Sequence, residues 1–163
     1  MEKVLFEIEM TSGAIMKGEM YPEVAPISVE NFKDLIERHF FDGLVFHRVI
    51  PDFMIQGGGF DANLRHKESK RTIKGEFLSN GFQNSLRHER GVISMARTMV
   101  KDSATSQFFI MHEYSPHLDG EYAAFGRITE GLETIDQIAY LPRDARDCPY
   151  DFALATIKTM RLL

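Results

Sequence analysis

The sequence predicts a mainly β fold: a closed, eight-stranded antiparallel β-barrel capped by two α-helices. Eight short segments have strand length and composition, while two stretches repeat their apolar residues at helical spacing. Closure suits such a set because it leaves no sheet edge to protect. The interior of a barrel of about eight strands can be filled by side chains, so a binding site has to lie on outward-facing residues.

The first two strands read as a hairpin. "KVLFEIEM" (3–10) places Val4, Phe6, Ile8 and Met10 on one face, "TSG" turns, and "AIMKGEMY" (14–21) returns. In "PISVENFKDLIERHF" (26–40) Val29, Phe32, Leu35 and Ile36 form the stripe of an amphipathic helix, with Pro26 at its start and Ser28 placed to cap it. Further strands are expected at "LVFHRVI", "FMIQGG", "GVISMAR", "QFFIMH" and "AAFGRIT", and a last at "FALATIKTMRLL" (152–163), which rests on length and composition. "GLETIDQIAY" (131–140) is the second helix, with Leu132, Ile135, Ile138 and Ala139 on one stripe.

The 163 residues make one domain of residues 1–163, with no repeat, low-complexity segment or linker to divide them. A net charge of −5 disfavours nucleic acid as a partner. "RHKESKRTIK" (65–74) is locally basic but lacks aromatics on which bases could stack, and reads as a solvated loop. No apolar run reaches membrane-spanning length, the N-terminus lacks a signal-peptide profile, and the single Cys148 cannot form an internal disulfide. A cytoplasmic monomer without cofactor or membrane is expected, with Cys148 an incidental thiol.

The chemistry points to "FHRVIPDFMIQGGGF" (46–60), where Arg48 stands among apolar residues. Strand alternation puts Met54 and Gln56 on one face and Ile55 on the other; likewise Gln107, Phe109 and Met111 oppose Phe108 and Ile110. Strands apolar on both faces imply a core on one side and a covered groove on the other. An Arg held by neutral amides keeps its charge available, whereas a structural Arg more often faces a carboxylate. No Ser, Thr or Cys sits in a nucleophile motif, and the six histidines show no metal spacing; His112 and His117 fall on an expected loop. In a regular strand His47 points away from Arg48 and is read as a packed core histidine. Gly57, Gly58 and Gly59 match no phosphate-binding spacing and are read as close backbone approach or a tight turn.

"FHRVIPDFMIQGGGF", "GVISMARTMVKDSATSQFFI" and "HLDGEYAAFG" together resemble the cyclophilin family of peptidyl-prolyl cis-trans isomerases, especially its bacterial-type branch. The resemblance spans the first hairpin to the second helix. It implies a cyclophilin-like barrel with a surface groove for proline-containing peptides of unfolded or folding proteins, and no metal. It implies Arg48 as catalytic residue with Gln56 beside it, and Phe53, Met54, Phe109 and Leu118 as walls of a proline pocket. It further implies Gln107 and the backbone of Ala96 and Arg97 as peptide contacts. Tyr122 stands where many relatives have His, and His117 where cyclosporin-sensitive members have Trp, so cyclosporin binding, if any, is expected to be weak. A holdase of the same fold that captures proline segments without turnover is the rival, and Arg48 is the residue such a module would not need. A metal- or nucleic-acid-binding barrel has only scattered histidines and the 65–74 loop behind it.

Overall fold

The computed structural model describes residues 2–163. In chain order its elements are β1 (Val4–Met10), β2 (Ile15–Met20), α1 (Pro26–Glu37), β3 (Leu44–Ile50), β4 (Met54–Asp61), β5 (Val92–Met95), β6 (Phe108–Met111), β7 (Ala124–Glu130), α2 (Leu132–Ala139) and β8 (Ile157–Leu162). All the strand pairs are antiparallel, in one sheet of order β3-β4-β6-β5-β7-β2-β1-β8.

The sheet curls without closing, which corrects the expected closed barrel. Its edge strands β3 and β8 share no ladder. They meet at one bridge, Val45 with Thr156, flanked by Gly43 N–H to Ile157 O at 2.8 Å and Phe46 N–H to Ala155 O at 2.9 Å. The stretch before Ile157 is not strand, because Ala153 N–H bonds the Asp151 carboxylate and the Thr156 hydroxyl bonds Phe152 O. Such local side-chain bonds hold the backbone in turns where a second ladder would need it extended.

Phe32 of α1 packs against Phe6, Phe41, Phe108 and Phe125 inside the curl, with ring centroids 5.0–6.2 Å apart. A buried side chain of this size contributes about 1.5–3 kcal/mol. The helix ends at Glu37, three residues before the predicted stop: His39 adopts a left-handed φ of 55° and Phe40 N–H returns to Leu35 O. Ser28 does not cap it. The helix begins at Pro26, and Ser28, already inside, donates to the buried Glu76 instead; its N–H lies 2.6 Å and its hydroxyl 2.8 Å from one carboxylate oxygen, while Ile27 N–H reaches the other at 3.1 Å. The cap thus comes from a residue 48 positions away.

Alternation sorts the strands as expected. Phe46, Ile55, Phe108 and Ile110 join the main core. Met54, Phe109, Met111 and Leu118 form a separate apolar cluster with Val92 and Ala124, with Phe53 and Tyr122 packed against it. That second cluster is the floor of the site. No helix among the described residues is long and apolar enough to cross a membrane.

Candidate active site

Strand register assembles the site. Arg48 on β3 pairs with Gln56 on β4, Gln56 with Phe109 on β6, and Phe109 with Ser94 on β5. Partners in a row project to one face about 5 Å apart. Three strands, β3, β4 and β6, therefore bring a cation, an amide and an aromatic ring side by side, though 61 residues separate Arg48 from Phe109.

The row opens into a cavity of about 190 Å³ lined by Arg48, Phe53, Met54, Gln56, Ala96, Arg97, Phe109, Leu118 and Tyr122. Binding sites for drug-sized ligands run to about 300–1,000 Å³, so this one suits a single small ring. Arg48 is exposed and donates from Nη1 to Gln56 Oε1 at 3.3 Å; Gln56 Nε2 in turn donates to Gln107 Oε1 at 3.0 Å. Among the described residues no carboxylate forms an ion pair with Arg48. Its charge stays available at the mouth of an apolar pocket.

Nine of the eleven residues expected at the site line this cavity. Gln107 lines the adjoining cavity, where Gln56, Ala96 and Arg97 also appear. His117 is exposed at the rim, its ring 5.8 Å from that of Phe53.

Two of the three glycines make this packing possible. A Cβ on Gly59 would lie 2.5 Å from Gln107 Nε2, so its absence gives the Gln107 amide its place. Gly58 adopts φ of 87°, in the region glycine favours, and a Cβ there would meet Ser106 O at 2.7 Å.

The Arg97 side chain has a role beyond the backbone contact expected of it. Its guanidinium lies over the rings of Phe77 and Tyr122, 4.7 and 4.6 Å from their centroids, and donates to Glu121 O and Thr98 O. Tyr122, so held, meets Phe109 edge-on at 5.6 Å. Under Phe109 the buried His88 ring stacks at 5.9 Å, bonded by Nδ1 to Asp119 Oδ1 and by Nε2 to Ser94 Oγ, both 2.9 Å. Burial lowers the His88 pKa against the opposing pull of Asp119, so the ring is a neutral bridge between β5 and the turn that bears Leu118. Spacing along the chain carries no signal for His88; its partner Asp119 lies 31 residues on.

One histidine reading holds and one is corrected. His112 lies in the bend after β6, off the strand as expected, but packed in place: it is 3% exposed, accepts Asp52 N–H at Nδ1 (2.8 Å) and contacts Asp136 through Nε2 (2.9 Å). It braces the turn leading to Phe53. His47 is not in the core, because β3 is irregular: the register shifts between Phe46 and Arg48, and His47 packs outside on Phe60 at 4.6 Å. Burial first, then the charges of Arg48 and His66, push the His47 pKa down to about 4. The unfolded chain, with an ordinary imidazole, then binds the extra proton first as pH falls below about 6.5. Stability contributed by neutral His47 is complete above that value and lost as pH falls toward 4. We expect roughly 2–3 kcal/mol of acid destabilisation to disappear in His47→Gln, read from urea unfolding at pH 7 and pH 4. Equal losses in both proteins would refute the assignment.

The family model for cyclophilin type peptidyl-prolyl cis-trans isomerase matches residues 5–160. A peptidyl-prolyl cis-trans isomerase of Acinetobacter baylyi is 46% identical over 129 residues, covering 76% of this chain and 66% of that protein. The isomerase ppi1 of Schizosaccharomyces pombe is 36% identical and covers 96% and 97% of the two chains. A Cryptosporidium parvum cyclophilin-type isomerase, solved in the presence of the dipeptide Ala-Pro, superposes with a TM-score of 0.81 at 27% identity, over 98% of each chain. The fold and its groove define a cyclophilin-type domain. The chain belongs to the cyclophilin-type peptidyl-prolyl cis-trans isomerases.

Proposed function

We propose that this groove binds X-Pro segments of unfolded or folding proteins and speeds rotation about the imide bond, with Arg48 as catalytic residue. The observation that carries the reading is the Arg48 guanidinium, tied to neutral Gln56 at the edge of the apolar cavity. Phe53, Met54, Phe109 and Leu118 surround the proline ring. Gln56 orients Arg48, while Gln107 and the backbone of Ala96 and Arg97 hold the flanking peptide; Tyr122 and His117 edge the pocket.

Resonance opposes rotation by ~18–20 kcal/mol, and no covalent bond has to form or break to lower that barrier. As the bond twists, the nitrogen regains its lone pair. A donor aimed there interacts more strongly with the twisted form than with the planar one. The dry wall adds to this, since twisting shrinks the amide dipole that water would otherwise solvate. One preorganised donor supplies ~3–4 kcal/mol, and an acceleration of a thousandfold or more needs at least ~4. Holding the peptide part-rotated through Gln56 and Gln107 supplies the difference.

Titration with a short proline peptide should shift NMR resonances of Phe53, Met54, Ala96, Phe109 and Leu118, while its Pro-to-Ala counterpart should leave them in place. The exchange rate should be flat from about pH 6 to 9, because Arg keeps its charge there and His47 is already neutral. Shifts confined to another face, or an inflection near pH 7, would overturn the reading.

A further inference from the structure

Besides the proline pocket, Arg48 borders a further hollow of about 320 Å³, lined also by His47, Phe60, Leu64, Arg146 and Cys148. Leu64 lies in the loop that follows β4. It is 52% exposed and adopts a left-handed φ of 58°. That conformation favours Gly or Asn and is costly for leucine. Asp61 enforces it, accepting from the N–H groups of Asn63 and Arg65 through its carboxylate and from Leu64 N–H through its carbonyl. The loop thus holds an apolar side chain at the surface in a backbone state that a polar residue would adopt more readily.

We propose that this hollow is a specificity subsite that takes an apolar side chain of the substrate, a short distance along the peptide from the proline. The inference rests on the reading of the first cavity as the proline pocket. Continuity argues for the occupant: Arg48 lines both cavities, so a peptide whose proline sits beside Arg48 extends its next residues over the arginine into the hollow. Wall chemistry agrees. Phe60 and Leu64 are apolar, and a free cysteine behaves as a small hydrophobe. His47 is uncharged at neutral pH, and burial raises the Cys148 pKa. The charged heads of the exposed Arg48 and Arg146 can remain in water while their stems line the wall.

The test uses proline peptides with Leu, Ser or Glu placed two or three residues before or after proline. At one of these positions kcat/KM for Leu should exceed that for Ser by about tenfold. Leu64→Asn, which suits the left-handed backbone, should bring the ratio near one. Saturation with the Leu peptide should slow alkylation of Cys148, the sole cysteine, and the Ser peptide should not. No Leu preference at any position, a preference for Glu, or an unchanged ratio in Leu64→Asn would overturn the proposal. Failure of the underlying reading is distinguishable: Arg48→Ala would then leave turnover of an alanine-flanked proline peptide intact, whereas failure of the subsite alone leaves that turnover dependent on Arg48.

Discussion

Arg48→Ala is expected to lower kcat/KM for a proline peptide by about 10²–10³-fold while the protein stays folded. The loss corresponds to ~3–4 kcal/mol, typical of removing one donor aimed at a transition state. The fold should survive because the side chain is exposed, makes one hydrogen bond, and pairs with no carboxylate among the described residues. Surface changes of that kind usually alter stability by less than about 0.5 kcal/mol. Peptide affinity should fall less than turnover, since the apolar walls remain. Arg48→Lys keeps the charge but not the planar fork, and should recover only part of the rate. Exchange NMR on a proline peptide, or a protease-coupled assay, reads the rates. A variant as fast as its parent would remove Arg48 from the mechanism.

Glu76→Ala should cost about 3–5 kcal/mol of stability, because it strips a fully buried carboxylate from three donors at the start of α1. Two are backbone N–H groups of the first helical turn, which lack partners within the helix, and the carboxylate also faces the positive end of the helix dipole. For a chain of this length the loss appears as a fall in Tm of roughly 10 °C. Glu76→Gln, which retains one acceptor oxygen, should fall in between. A Glu76→Ala variant within 1 kcal/mol of the parent in urea unfolding would show that Glu76 does not secure the helix.

The contrast between these two residues shows what the sequence made readable. Arg48 and Gln56 sit in one short segment, and alternation with the family motifs pointed to both. The first hairpin and the stripe of α1 were equally plain, because their partners are close in sequence and strictly periodic. Glu76 carried no such sign: its partners lie 48 and 49 positions away, and the nearby Ser28 offered a local cap that fits the usual rule. The bulge in β3 was invisible for a related reason, since a register shift depends on the opposing strand. It leaves both His47 and Arg48 off the core face between Phe46 and Val49, where strict alternation allows only one of them. The Gln56–Gln107 contact and the Arg97 clamp on Tyr122 likewise join segments whose adjacency arises only when β4, β5 and β6 pair.

The unlaced seam between β3 and β8 has a consequence for how the domain is made. The strand that bears Arg48 is steadied on its free side by Asp147, Ala155 and Ile157, about a hundred residues later in the chain. Those residues are made about a hundred positions after the arginine, so its strand can be set in place only once they have followed. Pairings of such long reach are slow to form. The surface that carries Arg48 thus waits on pairing with chain made much later than itself.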